Sequence, residues 1–223
     1  MADRLQILVV DDHAIIRLGI QLALQPHFPA RIVEAKDAQE ALALVRATRF
    51  DLILLDITLP GRSGLDVLPE LRAAQPGSPV LVMTMHGEEQ FAERVLRAGG
   101  AGYIMKSELA DELVSAVRKV IGGHRYISAA LAERLAWKVS GNAQVNRGSH
   151  EELSPREFEV LMMIASGRSG KEIAADLSLS YKTVSTYRTR ILLKLDLRTN
   201  HEITLYAQRA GLGPDQSRRT PPT

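Results

Sequence analysis

Phe50-Asp51-Leu52-Ile53-Leu54-Leu55-Asp56-Ile57-Thr58-Leu59-Pro60-Gly61 carries the clearest signal of the chain's architecture. Its apolar run, closed by a carboxylate and turn-forming residues, predicts a strand buried on both faces that carries Asp56 at its C-terminal tip. Ile7-Leu8-Val9-Val10-Asp11-Asp12 repeats the arrangement near the N-terminus. In a parallel sheet the two strands bring three carboxylates to one edge, the edge at which open α/β sheets bind their ligands.

The surrounding sequence supplies such a sheet. Strands are expected at Ile7–Val10, Arg31–Glu34, Leu52–Leu55, Val80–Met83 and Gly102–Met105. Amphipathic helices are expected between and after them at Ala14–Ala23, Ala38–Arg46, Gly64–Ala74, Glu89–Arg97 and Asp111–Ile121. Strict βα alternation with right-handed crossovers predicts a flavodoxin-like, doubly wound, five-stranded parallel sheet. At the strand ends stand Asp11 and Asp12, then Asp56, then Thr84, then Lys106.

Crowded carboxylates repel, and either a raised pKa or a bound divalent cation relieves them. Oxygen ligands suit Mg²⁺, held by Asp11, Asp12 and Asp56. One Asp56 oxygen then remains to attack phosphorus, with Lys106 offsetting charge on the transferring oxygens and Thr84 donating to the acquired group. Taken singly, each residue has an ordinary explanation. A strand-end Asp is more often a helix N-cap, and Asp12 is placed to cap the helix beginning near Ala14. His13 and His86 lie near the same rim and are read as neighbours of the site, not members. The five residues together favour a site.

In this order the residues resemble the receiver domain of bacterial two-component response regulators, over about residues 5 to 123. The resemblance implies that Asp56 accepts a phosphoryl group from a sensor histidine kinase. It also implies that Thr84 and Tyr103 form a switch pair, the hydroxyl moving toward the phosphate as the ring turns inward. Thr58 stands where the family usually has an apolar residue, often Met; the resemblance implies that its backbone carbonyl completes the metal ligands and that its hydroxyl bears on dephosphorylation.

The back of the chain reads differently. Ser154-Pro155-Arg156-Glu157 and Ser169-Gly170-Lys171-Glu172 are capping boxes, and Ser180 is an N-cap for a helix to about Leu195. Gly167 ends the first of these helices, and the second runs from about Gly170 to Leu177. Only Ser178-Leu179-Ser180 then separates it from the third, as in a helix-turn-helix. On the third helix Val184, Ile191 and Leu195 form an apolar stripe, while Lys182, Thr186, Thr189 and Arg190 lie opposite, flanked by Thr183 and Ser185. Arg188 falls nearer the apolar stripe and must snorkel outward. Short donors mixed with Arg188, Arg190 and Lys194 suit base-edge and phosphate contact in a major groove.

The segments Leu153–Glu157, Ser169–Ala174, Lys182–Ile191 and Lys194-Leu195 resemble the four-helix DNA-binding domain of the LuxR/NarL class. That implies a recognition helix in the major groove of double-stranded promoter DNA, and a fourth helix, about Asn200 to Ala210, that supports a homodimer. Ser185 stands where many members have Lys, so the groove face is less basic there.

The expected organisation is a receiver at 1–123, a linker at 124–152, a helix-turn-helix domain at 153–212 and a disordered tail at 213–223. The linker is expected to hold a helix over 127–139, striped by Leu131, Leu135 and Val139, then a polar tether over 140–149. Trp137 is read as a packing residue. Residues 1–127 carry 14 Lys/Arg against 16 Asp/Glu and residues 128–223 carry 14 against 10, which favours a polyanionic partner for the back half. The chain has no cysteine, so disulfides, thiol nucleophiles and cysteine-bound zinc are excluded. With no apolar run near the roughly 20 residues of a membrane span, a cytoplasmic protein without a membrane partner is expected.

The sequence thus predicts a phosphorylation-controlled transcription regulator, no enzyme beyond assisting its own phosphorylation and dephosphorylation. Its expected partners are a histidine kinase, promoter DNA, a second copy of itself and RNA polymerase. Three other readings stay open. A Mg²⁺-dependent phosphohydrolase would usually have an Asp where Thr58 stands. A ligand-gated LuxR-type regulator would need a more aromatic front domain than a chain with 4% aromatic residues provides. A constitutive receiver on the same DNA-binding domain differs only in its response to phosphorylation.

Overall fold

The structure, a computed structural model, describes residues 4–85, 88–127 and 149–212. It divides into two units, Met1–Ala143 and Gln144–Thr223.

The first unit alternates β1 (Leu5–Val10), α1 (Ala14–Leu24), β2 (Ala30–Ala35), α2 (Ala38–Ala47), β3 (Leu52–Asp56), α3 (Gly64–Ala74), β4 (Val80–Thr84), α4 (Glu88–Arg97), β5 (Gly102–Met105) and α5 (Leu109–Ile121). The strands are parallel in the order β2-β1-β3-β4-β5, the doubly wound order expected from the alternation. Ile7, Val9, Leu52, Leu54 and Leu81 face Ile20 and Leu24 of α1 and Leu113 and Val117 of α5. The alternate residues Leu8, Val10, Ile53 and Leu55 are equally buried, on the side of α2 and α3. Burial on both faces explains why these strands read as unbroken apolar runs.

Three boundaries bear on the site. Asp56 and Thr84 are the last residues of β3 and β4, not the first beyond them. A 3₁₀ turn over Lys106–Glu108 precedes α5, which therefore starts at Leu109 and not Asp111. Gly123, at φ 82°, reverses the chain after α5, and Tyr126 then pairs with the β5 edge. The Tyr126 N–H donates to the Ala101 carbonyl at 3.0 Å, and the Tyr103 N–H donates to the Tyr126 carbonyl at 3.1 Å. Pairing with the sheet thus continues to Tyr126.

The second unit contains α6 (Pro155–Ala165), α7 (Gly170–Asp176), α8 (Tyr181–Lys194) and α9 (Asn200–Arg209). Both capping boxes form, Ser154 with Glu157 and Ser169 with Glu172, and Ser180 accepts from the Thr183 amide. Gly167 adopts φ 86° just past α6, as its helix-ending role requires. Phe158, Leu161, Ile173, Val184, Ile191 and Ile203 bury the shared core. Ser149 accepts from the Glu151 amide and so caps a 3₁₀ turn over His150–Glu152. Ile127 lies in irregular chain; the rest of the expected linker helix, with Trp137, the tether up to 148 and the tail at 213–223 lie outside the described residues. No helix among the described residues is long and apolar enough to cross a membrane.

Candidate functional site

At the carboxyl edge of the sheet the Lys106 ammonium lies 2.7 Å from Asp11 Oδ2 and 2.7 Å from Asp56 Oδ2. All three side chains are buried. Burial pushes the Asp56 carboxyl up to about 7; Lys106 opposes that rise and Asp11 adds to it. Burial acts to lower the Lys106 pKa, but Asp56 and Asp11 outweigh it and hold the ammonium above its ordinary value.

Asp12 is more exposed, and Asp11, Asp12, His13 and Asp56 offer ligand atoms that all lie within 4.8 Å of one another. Asp56 Oδ1 and Thr58 Oγ1 are buried and have no hydrogen-bond partner among the described residues. Three carboxylates against one ammonium leave excess negative charge, which suits an oxygen-liganded divalent cation such as Mg²⁺.

Several neighbours build this rim. Asp12 does not cap α1: the N-cap is His13, which makes no side-chain capping bond. His13 instead donates its amide to Asp11 Oδ1 at 2.9 Å, with its ring Nδ1 2.7 Å from Asp12 Oδ1. It therefore touches two of the carboxylates that the sequence reading left it merely beside; only its adjacency signalled this. His86 is outside the described residues. Arg17 donates to the Asp11 carbonyl at 2.8 Å and pairs with Glu34 of β2, tying α1 and β2 to the same loop.

After Asp56 the chain folds back on itself. Gly64 N–H donates to the Ile57 carbonyl at 2.7 Å, so closely that a Cβ on Gly64 would lie 2.0 Å from the Asp56 carbonyl oxygen. Only glycine permits that approach. Thr84 and Tyr103 are both buried, the Tyr103 ring directed inward with 1% of its surface exposed.

In the second unit, Lys182, Ser185, Thr186, Thr189 and Arg190 are exposed on α8. Thr186 and Thr189 donate to the Lys182 and Ser185 carbonyls at 3.0 Å, which leaves their oxygens as outward acceptors. Thr183 is half-buried, with Oγ1 2.8 Å from Ser180 Oγ. Two other cations are engaged within the domain. Arg188 Nε donates to Asn200 Oδ1 at 2.5 Å, and Lys194 Nζ lies 2.6 Å from Glu157 Oε2. The Arg188 contact follows from its place near the apolar stripe; the Lys194 contact spans 37 residues and has no local signature.

A doubly wound sheet with this acid-lysine rim, joined to a helix-turn-helix unit, defines a two-domain regulator of the receiver type. The chain matches the response regulator receiver domain over residues 7–118 and the bacterial regulatory proteins, luxR family, over residues 151–207. It belongs to the two-component response regulators of the NarL/FixJ family, which carry a LuxR-type DNA-binding domain. It is 38% identical to response regulator GacA of Pseudomonas aeruginosa across 93% of this chain and 97% of that protein. It is 34% identical to response regulator UvrY of Escherichia coli O6:H1 across 93% and 95%.

Among solved structures, a two-component response regulator of the LuxR family from Aurantimonas sp. SI85-9A1 shares 34% identity and superposes with a TM-score of 0.57. That likeness covers 62% of this chain and 99% of the other. RcsB from Salmonella enterica serovar Typhimurium, bound to promoter rprA in the presence of the phosphomimetic BeF3-, has a TM-score of 0.62. At 22% identity, across 92% of this chain and 99% of RcsB, that match shows the fold alone.

Proposed function

We propose that this chain is a phosphorylation-controlled transcription regulator whose phosphoacceptor is Asp56. The observation that carries the reading is the buried Asp56 Oδ1, which has no hydrogen-bond partner among the described residues while Oδ2 is held by Lys106. Oδ1 is the oxygen left to attack. A new P–O bond forms there as the P–N bond of a kinase phosphohistidine breaks, and the imidazole leaves with the electron pair.

Lys106 remains beside the transferred group to offset its charge, and the Thr84 hydroxyl donates to it. Asp11, Asp12, Asp56 and the Thr58 backbone carbonyl would hold Mg²⁺, which supplies charge neutralisation for the phosphoryl oxygens. Loading of Asp56 draws Thr84 toward the phosphate and favours the inward Tyr103 ring, so the receiver populates a second surface conformation.

That conformation releases the second domain to form a homodimer on two half-sites of promoter DNA, where it meets RNA polymerase in the cytoplasm. Lys182, Thr183, Ser185, Thr186, Thr189 and Arg190 form the groove face, and Arg188 and Lys194 brace α8 from behind. The chain acts as an enzyme only on its own acyl phosphate. The test is gel-shift affinity with and without a small phosphoryl donor and Mg²⁺. Tighter binding after phosphorylation, absent in Asp56→Asn, supports the reading; equal affinity in all arms rejects it.

A further inference from the structure

Tyr181, the first residue of α8, exposes 61% of its surface and is the only aromatic among the large exposed apolar side chains of the described residues. An exposed aromatic ring at the N-terminal end of α8 presents its phenol hydroxyl on the same side of the domain as the exposed polar face of that helix. Its position is also built. A Cβ on Gly170 would lie 2.9 Å from Tyr181 Cε2 and 3.5 Å from Cδ2, so the bare α-carbon of Gly170 is the seat of the ring.

Gly170 has no backbone reason to be glycine. It is the first residue of α7, and it is not among the positive-φ glycines. Alanine is a better helix former there. The ring edge rests against Gly170, next to the exposed Lys182, with only two χ angles to restrain.

We propose that Tyr181 is a DNA-backbone contact, its phenol hydroxyl donating to a phosphate oxygen beside the groove that α8 enters, with Gly170 as the residue that positions it. This rests on the reading of α8 as the recognition helix. A neutral hydroxyl adds a charge-assisted hydrogen bond but displaces no counterion, so it strengthens binding without steepening the salt dependence. It also contributes equally on any sequence, because phosphate contacts carry no base information.

The full-length chain is titrated, by fluorescence anisotropy, on a selected high-affinity duplex and on a random duplex. Tyr181→Phe, which keeps the ring on its seat, is expected to weaken binding to both duplexes by the same roughly three- to tenfold, with an unchanged salt slope. Gly170→Ala is expected to keep or raise the thermal midpoint and yet weaken binding, and to have no further effect in a Tyr181→Ala background. Arg190→Ala separates the two readings: if it leaves affinity unchanged, the assignment of α8 fails first. Loss in Arg190→Ala with Tyr181→Phe unchanged overturns the proposal. A Tyr181→Phe loss confined to the selected duplex makes it a base contact and overturns the backbone assignment, and equal effects of Gly170→Ala with and without the ring overturn the seat.

Discussion

Lys106 Nζ stands 2.7 Å from a carboxylate oxygen of both Asp11 and Asp56, inside a rim that buries all three. The ammonium is thus the counter-charge that lets two acids share one sheet edge before any cation binds. Lys106→Met is expected to destabilise the metal-free chain by about 1–3 kcal/mol, since the buried Asp11 and Asp56 lose their shared partner and Asp56, already raised to about 7, takes up a proton in place of the ammonium. On the proposed site Mg²⁺ would be held only by the folded rim, so its addition should restore part of that loss. Asp11→Asn is expected to do the opposite, holding or raising the urea midpoint in chelator while abolishing the Mg²⁺ response. Urea midpoints of the three chains in chelator and in Mg²⁺ decide both points.

Gly64 controls where Asp56 ends. A methyl group there would meet the Asp56 carbonyl oxygen at 2.0 Å and the adjacent carbonyl carbon at 2.9 Å, both backbone atoms that cannot rotate away. Gly64→Ala should cost about 2–3 kcal/mol through overpacking and slow acyl-phosphate formation on Asp56, because the loop must shift. Stability by urea and phosphorylation rate with a small donor are the two measurements. An unchanged rate alongside lost stability would separate the fold requirement from the chemical one.

The strands and the three helix caps Ser154, Ser169 and Ser180 were legible in the sequence because each is specified locally by an apolar run or a cap spacing, and the doubly wound order followed from strict βα alternation with right-handed crossovers. Asp11, Asp56 and Lys106 were legible for the same reason: strand ends in a parallel sheet share one edge. What escaped the reading has no local period. His13 joins the carboxylates through its own amide, and Lys194 reaches Glu157 across the helical core. Tyr126 returns to the sheet as a single paired residue, too short to read as a strand.

Tyr126 yields a prediction of its own. Its carbonyl accepts the Tyr103 N–H, so the chain leaving the receiver is fastened beside the inward ring of Tyr103. Gly102 admits it: a Cβ there would lie 2.7 Å from the Tyr126 carbonyl oxygen and 2.9 Å from its Cβ. Gly102→Ala should detach the 124–126 segment at a cost of about 1–3 kcal/mol, an overpacking penalty with two lost edge hydrogen bonds. Hydrogen exchange reads it directly. The Tyr103 amide is expected to lose protection in Gly102→Ala while amides of β1 and β3 keep theirs, and equal protection at Tyr103 would mean the segment remains seated.

The Glu157–Lys194 pair predicts how the DNA-binding unit answers acid. Burial alone would raise the Glu157 pKa, but Lys194 and the Ser154 amide outweigh it and hold the carboxyl below its ordinary value. A carboxyl depressed in the folded state contributes stability that is complete above its unfolded pKa and is lost as pH falls through the folded one. Lys194 is 39% exposed, so solvent screening limits the pair to about 1 kcal/mol. Glu157→Gln should therefore lie below the parent chain in thermal midpoint at neutral pH, and the two should converge as pH falls beneath the ordinary carboxylate range. Lys194→Met should lose a similar amount at neutral pH, and the double variant little more than either. A Glu157→Gln deficit that persists undiminished at low pH would show that the loss does not come from the carboxylate charge, and so not from the ion pair that joins α6 to α8, since glutamine keeps the capping acceptor for the Ser154 amide.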